Sequence, residues 1–187
     1  GAHAKVAADI FRQMGLSIWG YLDDDPAKTG LKLLGLPILG LIQSYAEYLD
    51  AAFILGIGAN QTRYNLAQQL TQAGVRWASA VHPRAVVAES VTLGVGGLIA
   101  AQAALNPDAQ IGDHVIINTG ATVDHDCSIG DFVHVAPGAH LAGGVKVGAG
   151  TLIGIGTVVT PYRTIGSGVV IGAGAVIVDD IPDNVTV

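Results

Sequence analysis

Apolar residues in the first eighty positions follow two alternating rhythms. In AHAKVAADIFRQMG they fall at Val6, Ile10, Phe11 and Met14, the spacing of one helix face, and Gly15 supplies a stop. SIWGYL then reads as a buried strand closed by DDDP, and a second helical run lies around SYAEYL. FILGIG is another apolar strand. ANQTRYNLAQQLTQAG is an amphipathic helix that again ends in Gly, and VRWASAV returns as a strand. Strands alternating with helices of this length predict a parallel sheet with crossover helices, an α/β unit of nucleotide-binding type over residues 1–80. If GAHAK opens the first helix, this topology expects a strand before it.

From residue 81 the rhythm changes to six. Steps of six from Val81 to Ile177 land on seventeen positions, and all are Val, Leu or Ile. Four residues further on, the position is small or β-branched: Ala85, Val91, Gly97, Ala103, Ala109, Val115, Ala121, Cys127 and Val133. A hexapeptide repeat predicts a parallel β-helix over residues 81–187, with three hexads to a coil, aliphatic residues inward and residues eighteen apart stacked. Nothing interrupts the period, so no long loop is expected to leave the prism.

Composition adds limits. The 187 residues include 26 Gly, with 13% charged and a net charge of −6. Residues 1–80 hold six Lys/Arg and six Asp/Glu, and residues 81–187 hold three and nine. An acidic second half argues against a nucleic-acid partner. The uncharged runs are broken by Gly and polar residues, which argues against a membrane span. No basic-then-apolar leader is visible, and the single Cys127 excludes a disulfide within the chain and fits a reducing cytoplasm.

The candidate chemistry sits in VDHDCSIGDFVHV, residues 123–135. Val123 and Cys127 take inward positions, so Cys127 reads as core filler and not as a nucleophile. His125, at the third place of its hexad, faces outward; His134, at the sixth, is expected beside a corner. Nine residues separate them, half a coil, which places them on different sides of the prism. The plain reading is two exposed polar side chains. Aspartates on both sides of His125 favour a working imidazole, because a carboxylate holds one tautomer and raises its basicity. The remaining histidines, His3, His82, His114 and His140, make no three-ligand metal pattern with them, and no metal is expected.

The stretch VDHDCSIGDFVHVAPGAHLAGGVKVG resembles the core motif of the hexapeptide-repeat acyltransferases. More narrowly it is similar to the bacterial sugar acetyltransferases related to sialic acid O-acetyltransferase, which include N-acetyltransferases of nucleotide-linked 4-amino sugars of the bacillosamine and perosamine type. GAHAKV, YLDDDP, GLPILG, ILGIGANQTR and AVHPRAVV follow in the same order, so the likeness spans nearly the whole chain. It implies a left-handed β-helix, a cytoplasmic homotrimer, and acetyl-CoA in the cleft between adjacent β-helices. His125 matches the catalytic base and Asp126 the acidic residue that tunes it. His134, Asn118, Gly143, Ile155 and Ala173 match positions along the cofactor. Gly1, Ala2 and His3 match the loop beside the diphosphate, Asp23 and Asp24 would meet base and ribose, and Gly58, Asn60 and Arg63 would complete the pocket. Relatives usually continue past DNVTV into a G-x-P-A-[KR] segment near the cofactor's outer end.

Plain readings stand beside these. DDDP is an ordinary turn composition, although the end of a parallel strand favours ligand contact. Gly58-Ala59-Asn60 opens a helix whose free N–H groups suit a phosphate or simply water. Lys146 and Arg163 are two of three cations after residue 80, available to the phosphates of CoA or to solvent. Three functions follow: N-acetylation of a nucleotide-linked 4-amino-4,6-dideoxy sugar with His125 as general base, O-acetylation of a sugar of the sialic acid type, or a non-catalytic trimeric scaffold that senses a nucleotide. A scaffold has no need of an Asp-flanked histidine.

Overall fold

The computed structural model describes residues 2–187; Gly1, expected in the substrate loop, lies outside the described residues. From Ala80 onward two-residue strands recur every six residues, seventeen in all, from Ala80–Val81 to Val176–Ile177. They stack into parallel sheets of six, six and five strands. Each residue pairs with the one eighteen further on, as Ile117 with Val135 and Val123 with Leu141. This is the left-handed parallel β-helix expected from the six-residue beat.

Its three faces begin at Ala80–Val81 (first), Val86–Val87 (second) and Thr92–Leu93 (third). Leu105, Ile117, Val123, Val135 and Val159 point inward and are fully buried, with Ala103, Ala109, Val115 and Ala121 filling the corners behind them. Removing each large aliphatic from water contributes about 1.5–3 kcal/mol. Most corners turn through a left-handed residue at the fourth place of the hexad. Every such place from Gly96 to Gly174 has positive φ, including the non-glycines Gln102, Asp108, His114, Asp126, Phe132 and Tyr162.

The first half keeps its predicted elements but shortens them. Helix α1 spans Ala4–Gln13 and stops before Gly15 at φ 73°. The strand read in SIWGYL survives only as β1, Tyr21–Leu22, and Trp19 beside it is 56% exposed. β2 (Lys32–Leu33) and β3 (Leu36–Gly40) form an antiparallel hairpin, and β1 joins β3 in parallel. The helical run around SYAEYL is a 3-10 helix, Ile42–Tyr48. β4 (Ala52–Phe53) and β5 (Arg76–Trp77) form a separate parallel pair linked through helix α2, Asn60–Gln72. VRWASAV thus divides: Arg76–Trp77 closes the α/β half, and Ala80–Val81 is already the first strand of the prism.

The halves are fused along the first face. Ala7 and Ile10 of α1 pack on Ala80, Leu98, Ala100 and Ile116, while Leu55, Ala67, Leu70 and Val75 pack on Phe132. Between these clusters lies Arg63, 1% exposed. Its Nε donates to the His114 carbonyl at 2.9 Å, and its terminal nitrogens donate to the carbonyls of Ile57 (3.1 Å), Gly58 (3.1 Å) and Phe132 (2.7 Å) and to Asn60 Oδ1 (3.0 Å). A guanidinium out of water is tolerated because its fork of donors is filled. His114 is buried close by, edge-on to Trp77 at 4.6 Å between ring centroids and stacked on Phe132 at 5.1 Å.

Arg63→Ala should leave the buried carbonyls of His114 and Phe132 without this donor and cost about 3 kcal/mol or more. Calorimetry should then show the α/β half melting ahead of the prism; one unchanged transition would contradict this role. Burial, and then the charge of Arg63, lowers the pKa of His134 from 6.5 to about 4, and burial lowers His3 and His114 in the same direction. The unfolded chain recovers the ordinary value, so between pH 6.5 and 4 it binds more protons than the native state. Stability should be complete above pH 6.5 and decline as the pH falls toward 4. Denaturant midpoints across that range test the slope, which His134→Asn should flatten.

Candidate active site

His125 occupies the corner between the second and third faces, just after the strand Thr122–Val123. Asp126 takes the left-handed place of that corner, φ 59°, which folds its carboxylate back on the preceding ring. The two meet at 2.8 Å, Nδ1 to Oδ2. A carboxylate only accepts, so Nδ1 carries the proton and Nε2 presents a lone pair. That hydrogen bond is the main reason the His125 pKa is raised, with the charges of Asp124 and Asp126 adding to it. One coil on, Gly143 lies against the ring: a Cβ there would fall 2.6 Å from Cε1 and from Nε2. The imidazole is half exposed and rests on a backbone with no side chain. Tyr162, 71% exposed, lies against Gly144 in the same way.

His134 opens the strand His134–Val135 on the first face, directly after the corner at Phe132–Val133. The α/β half lies over it. Nδ1 donates to the Gly58 carbonyl at 3.3 Å, and the Asn118 amide donates to Nε2 at 3.1 Å. The His3 ring is 6.1 Å away, tilted by 45°, and its buried Nε2 has no hydrogen-bond partner among the described residues. Asn118 follows the strand Ile116–Ile117 of the same face. Ile155, 60% exposed, and Ala173 stack eighteen residues apart at the corner between the first and second faces. Within one chain the expected catalytic and cofactor residues therefore form two groups: His125, Asp126 and Gly143 at one edge of the second face, and His134, Asn118, Ile155 and Ala173 on the first face or at the corner that follows it.

The expected substrate residues also divide. Asn60 and Arg63 turn their side chains to the prism. The Asn60 amide donates to the carbonyls of Gly150 (2.9 Å) and Thr151 (3.0 Å), and Arg63 is committed to the joint. The reason is geometric: the start of α2 abuts the prism, and both side chains are the right length to satisfy its carbonyls. Gly58 serves His134. His3 sits by that joint and Ala2 is exposed. Asp23 and Asp24 line a cavity of about 560 Å³ in the α/β half, together with Phe11, Trp19, Tyr21 and Tyr45. Asp23 accepts from Lys28 Nζ at 2.9 Å and from the Asp25 N–H at 3.1 Å. The Lys28 bond, foremost, holds its carboxyl well below the usual range.

Cys127 is 1% exposed, donates to the Ala142 carbonyl at 3.2 Å, and burial pushes its thiol pKa up. It is core. Lys146 is exposed on the third face; Arg163 Nε donates to the Pro161 carbonyl at 3.1 Å, with Asp180 4.0 Å from a terminal nitrogen. No group of three metal-binding side chains occurs among the described residues. Sequence reasoning missed Asn106, whose amide meets Asp124 at 2.7 Å. Its signal was available: the two polar residues are eighteen apart at the same place in the hexad.

The geometry has known counterparts. Residues 1–70 match the PglD N-terminal domain, and residues 108–143 match the bacterial transferase hexapeptide of six repeats. Perosamine N-acetyltransferase from Caulobacter crescentus, solved with CoA and GDP-perosamine, is 40% identical; the superposition covers all of this chain and 89% of that one, with a TM-score of 0.94. The acetyltransferase domain of PglB from Neisseria gonorrhoeae, solved with acetyl coenzyme A, is 36% identical over 100% of this chain and 91% of that one, with a TM-score of 0.95. WeeI from Acinetobacter baumannii gives 27% and 0.87 over 100% and 91%. The uncharacterized protein L142 of Acanthamoeba polyphaga mimivirus is 37% identical over 117 residues; that match takes in 63% of this chain, which spans only 23% of the viral protein. With both halves matched in order and the fold superposed end to end, the chain belongs to the hexapeptide-repeat sugar acetyltransferases of the bacillosamine and perosamine type.

Proposed function

We propose that this protein transfers the acetyl group of acetyl-CoA to the amino group of a nucleotide-linked 4-amino-4,6-dideoxy sugar, with His125 as general base. The carrying observation is the His125 corner: Nδ1 tied to Asp126 at 2.8 Å, and Nε2 above Gly143 without a partner among the described residues. The sugar amine attacks the thioester carbonyl and Nε2 takes the proton it sheds. The C–S bond then breaks, and the imidazolium returns the proton to the departing thiolate. No acyl-enzyme is needed, in keeping with the burial of Cys127. Amine over hydroxyl as the acceptor is favoured by the Caulobacter relative, whose bound ligand is GDP-perosamine.

The same reading takes the protein as a cytoplasmic homotrimer with acetyl-CoA between neighbouring prisms. The outward row of the second face is Val86, Ala104, Thr122, His140, Val158 and Val176, with no Asp, Glu, Lys or Arg. Val86 and Val176 are 67% and 65% exposed in the single chain. A second copy laid against this row covers that apolar surface. It also brings one copy's Ile155–Ala173 edge toward the other's His125 edge, uniting the two groups. Asp23 and Asp24 at the cavity of the α/β half are the residues we assign to the nucleotide, with His3 and Gly58 nearer the joint.

Release of free thiol from acetyl-CoA in the presence of UDP- and GDP-4-amino sugars tests the reading directly. His125→Ala should lower kcat at least about 100-fold with the assembly intact; near-normal turnover would overturn the assignment. Gly143→Val should do comparable damage, because its side chain would occupy the ring's place. Since the base works deprotonated and its pKa is raised, the acid limb of kcat/KM should lie above the ordinary histidine value of 6.5. Val158→Glu should dissociate the assembly and abolish turnover together; an active monomer would refute a shared site.

A further inference from the structure

We propose that Asp124, held by Asn106, is a positioning residue that fixes the backbone from which His125 works. This deepens the reading of His125 as the base and rests on it. Asp124 Oδ1 accepts the N–H of His125 at 2.8 Å and the Asn106 amide at 2.7 Å. The column at this place in the hexad runs Ala88, Asn106, Asp124, Ala142, Thr160 and Val178, so the Asn–Asp rung occurs at one level, that of His125.

Other acidic residues of the prism are used differently. Asp113 Oδ1 takes the N–H of Val95 and Asp131 Oδ1 that of Asp113, each at 2.8 Å and each eighteen residues away. Those bonds tie coil to coil and hold the stack. Asp124 instead takes the N–H of the next residue in its own corner, and its link to the coil below goes through the side chain of Asn106. The coil-to-coil backbone bonds at this corner are present in any case: Asp126 N–H to the Pro107 carbonyl at 3.1 Å and Gly144 N–H to the His125 carbonyl at 2.9 Å. The stack does not need the Asn106–Asp124 rung for its ladder.

What the rung supplies is a third constraint on one side chain. Asp126 fixes Nδ1, Gly143 supports the ring face, and Asp124 fixes the peptide from which the ring departs. With all three in place Nε2 has one direction in which to meet a substrate proton. A half-exposed imidazole without them samples several rotamers, and each lost constraint lowers the fraction poised for transfer. The Asp124 carboxylate also adds negative charge beside His125, supporting its raised basicity.

The test uses the full-length chain with Asp124→Ala, Asp124→Asn and Asn106→Ala. Asp124→Ala and Asn106→Ala should each lower kcat about tenfold while KM for both substrates stays within about twofold. Asp124→Asn keeps an acceptor oxygen and should recover most of that loss, while its missing charge moves the acid limb of kcat/KM to lower pH. Nitrogen NMR of the imidazole reads the same point without turnover: His125 should be a single Nδ1–H tautomer in the parent and a mixture in Asp124→Ala. An Asp124→Ala protein with kcat within about twofold of the parent, or with the parent's tautomer and titration, overturns the proposal. If the parent releases no thiol with any acceptor, the acetyltransfer reading fails, and the NMR comparison still decides whether Asp124 positions the ring.

Discussion

Every feature of this molecule hangs on the stacking of one buried aliphatic residue over the one eighteen positions before it. Ile99, Ile117, Val135, Ile153 and Ile171 form one such column, all at 2% exposure or less. A shift of register by a single residue would carry Asp124 or Asp126 toward the axis and expose the aliphatics, so the coil has one stable setting. Once that setting is fixed, the corners are fixed too. The corner holding His125 lies above Pro107–Asp108 and beneath Gly143–Gly144 because the period allows nothing else. The catalytic candidates are thus placed by a core they never touch.

Fold and site were legible in the sequence to different depths. The prism was legible throughout, because a six-residue period with a fixed inward place is a global signal that no local exception disturbs. The α/β half was legible in the order of its helices and apolar strands but not in their extent, and the antiparallel β2–β3 hairpin was not read from the sequence. SIWGYL and FILGIG are apolar enough to read as full strands, yet only Tyr21–Leu22 and Ala52–Phe53 find partners, and the two sheet fragments stay apart across the cavity lined by α1. The SYAEYL run, short of strong helical caps, tightens into a 3-10 helix.

The polar residues divide along the same line. His125 and Asp126 could be paired from sequence because they are neighbours in one corner. Arg63 and Asn60 could not be assigned, because their partners, the carbonyls of His114, Phe132, Gly150 and Thr151, are between 51 and 91 residues away. Periodicity says nothing about which face the first half covers. For the same reason the sixth-place rule puts His134 in a strand, but only the docking of Gly58 explains its burial.

The two histidines of VDHDCSIGDFVHV, nine residues apart, are driven in opposite directions by their surroundings. His125, half exposed and bonded to a carboxylate, has its basicity raised; His134, under the α/β half and near Arg63, titrates only at about pH 4. Groups whose environments push their pKa values apart can take separate roles. At neutral pH His134 is an uncharged ring with both nitrogens committed, suited to shape and hydrogen bonding and not to moving a proton. His125 has the nitrogen that takes no hydrogen bond among the described residues. The asymmetry follows from topology, since a corner of the prism faces outward while the first face is roofed by α1 and α2. A fold that buries one of two such histidines and leaves the other on a glycine floor gives them unlike surroundings, and it is the second that we propose as the base.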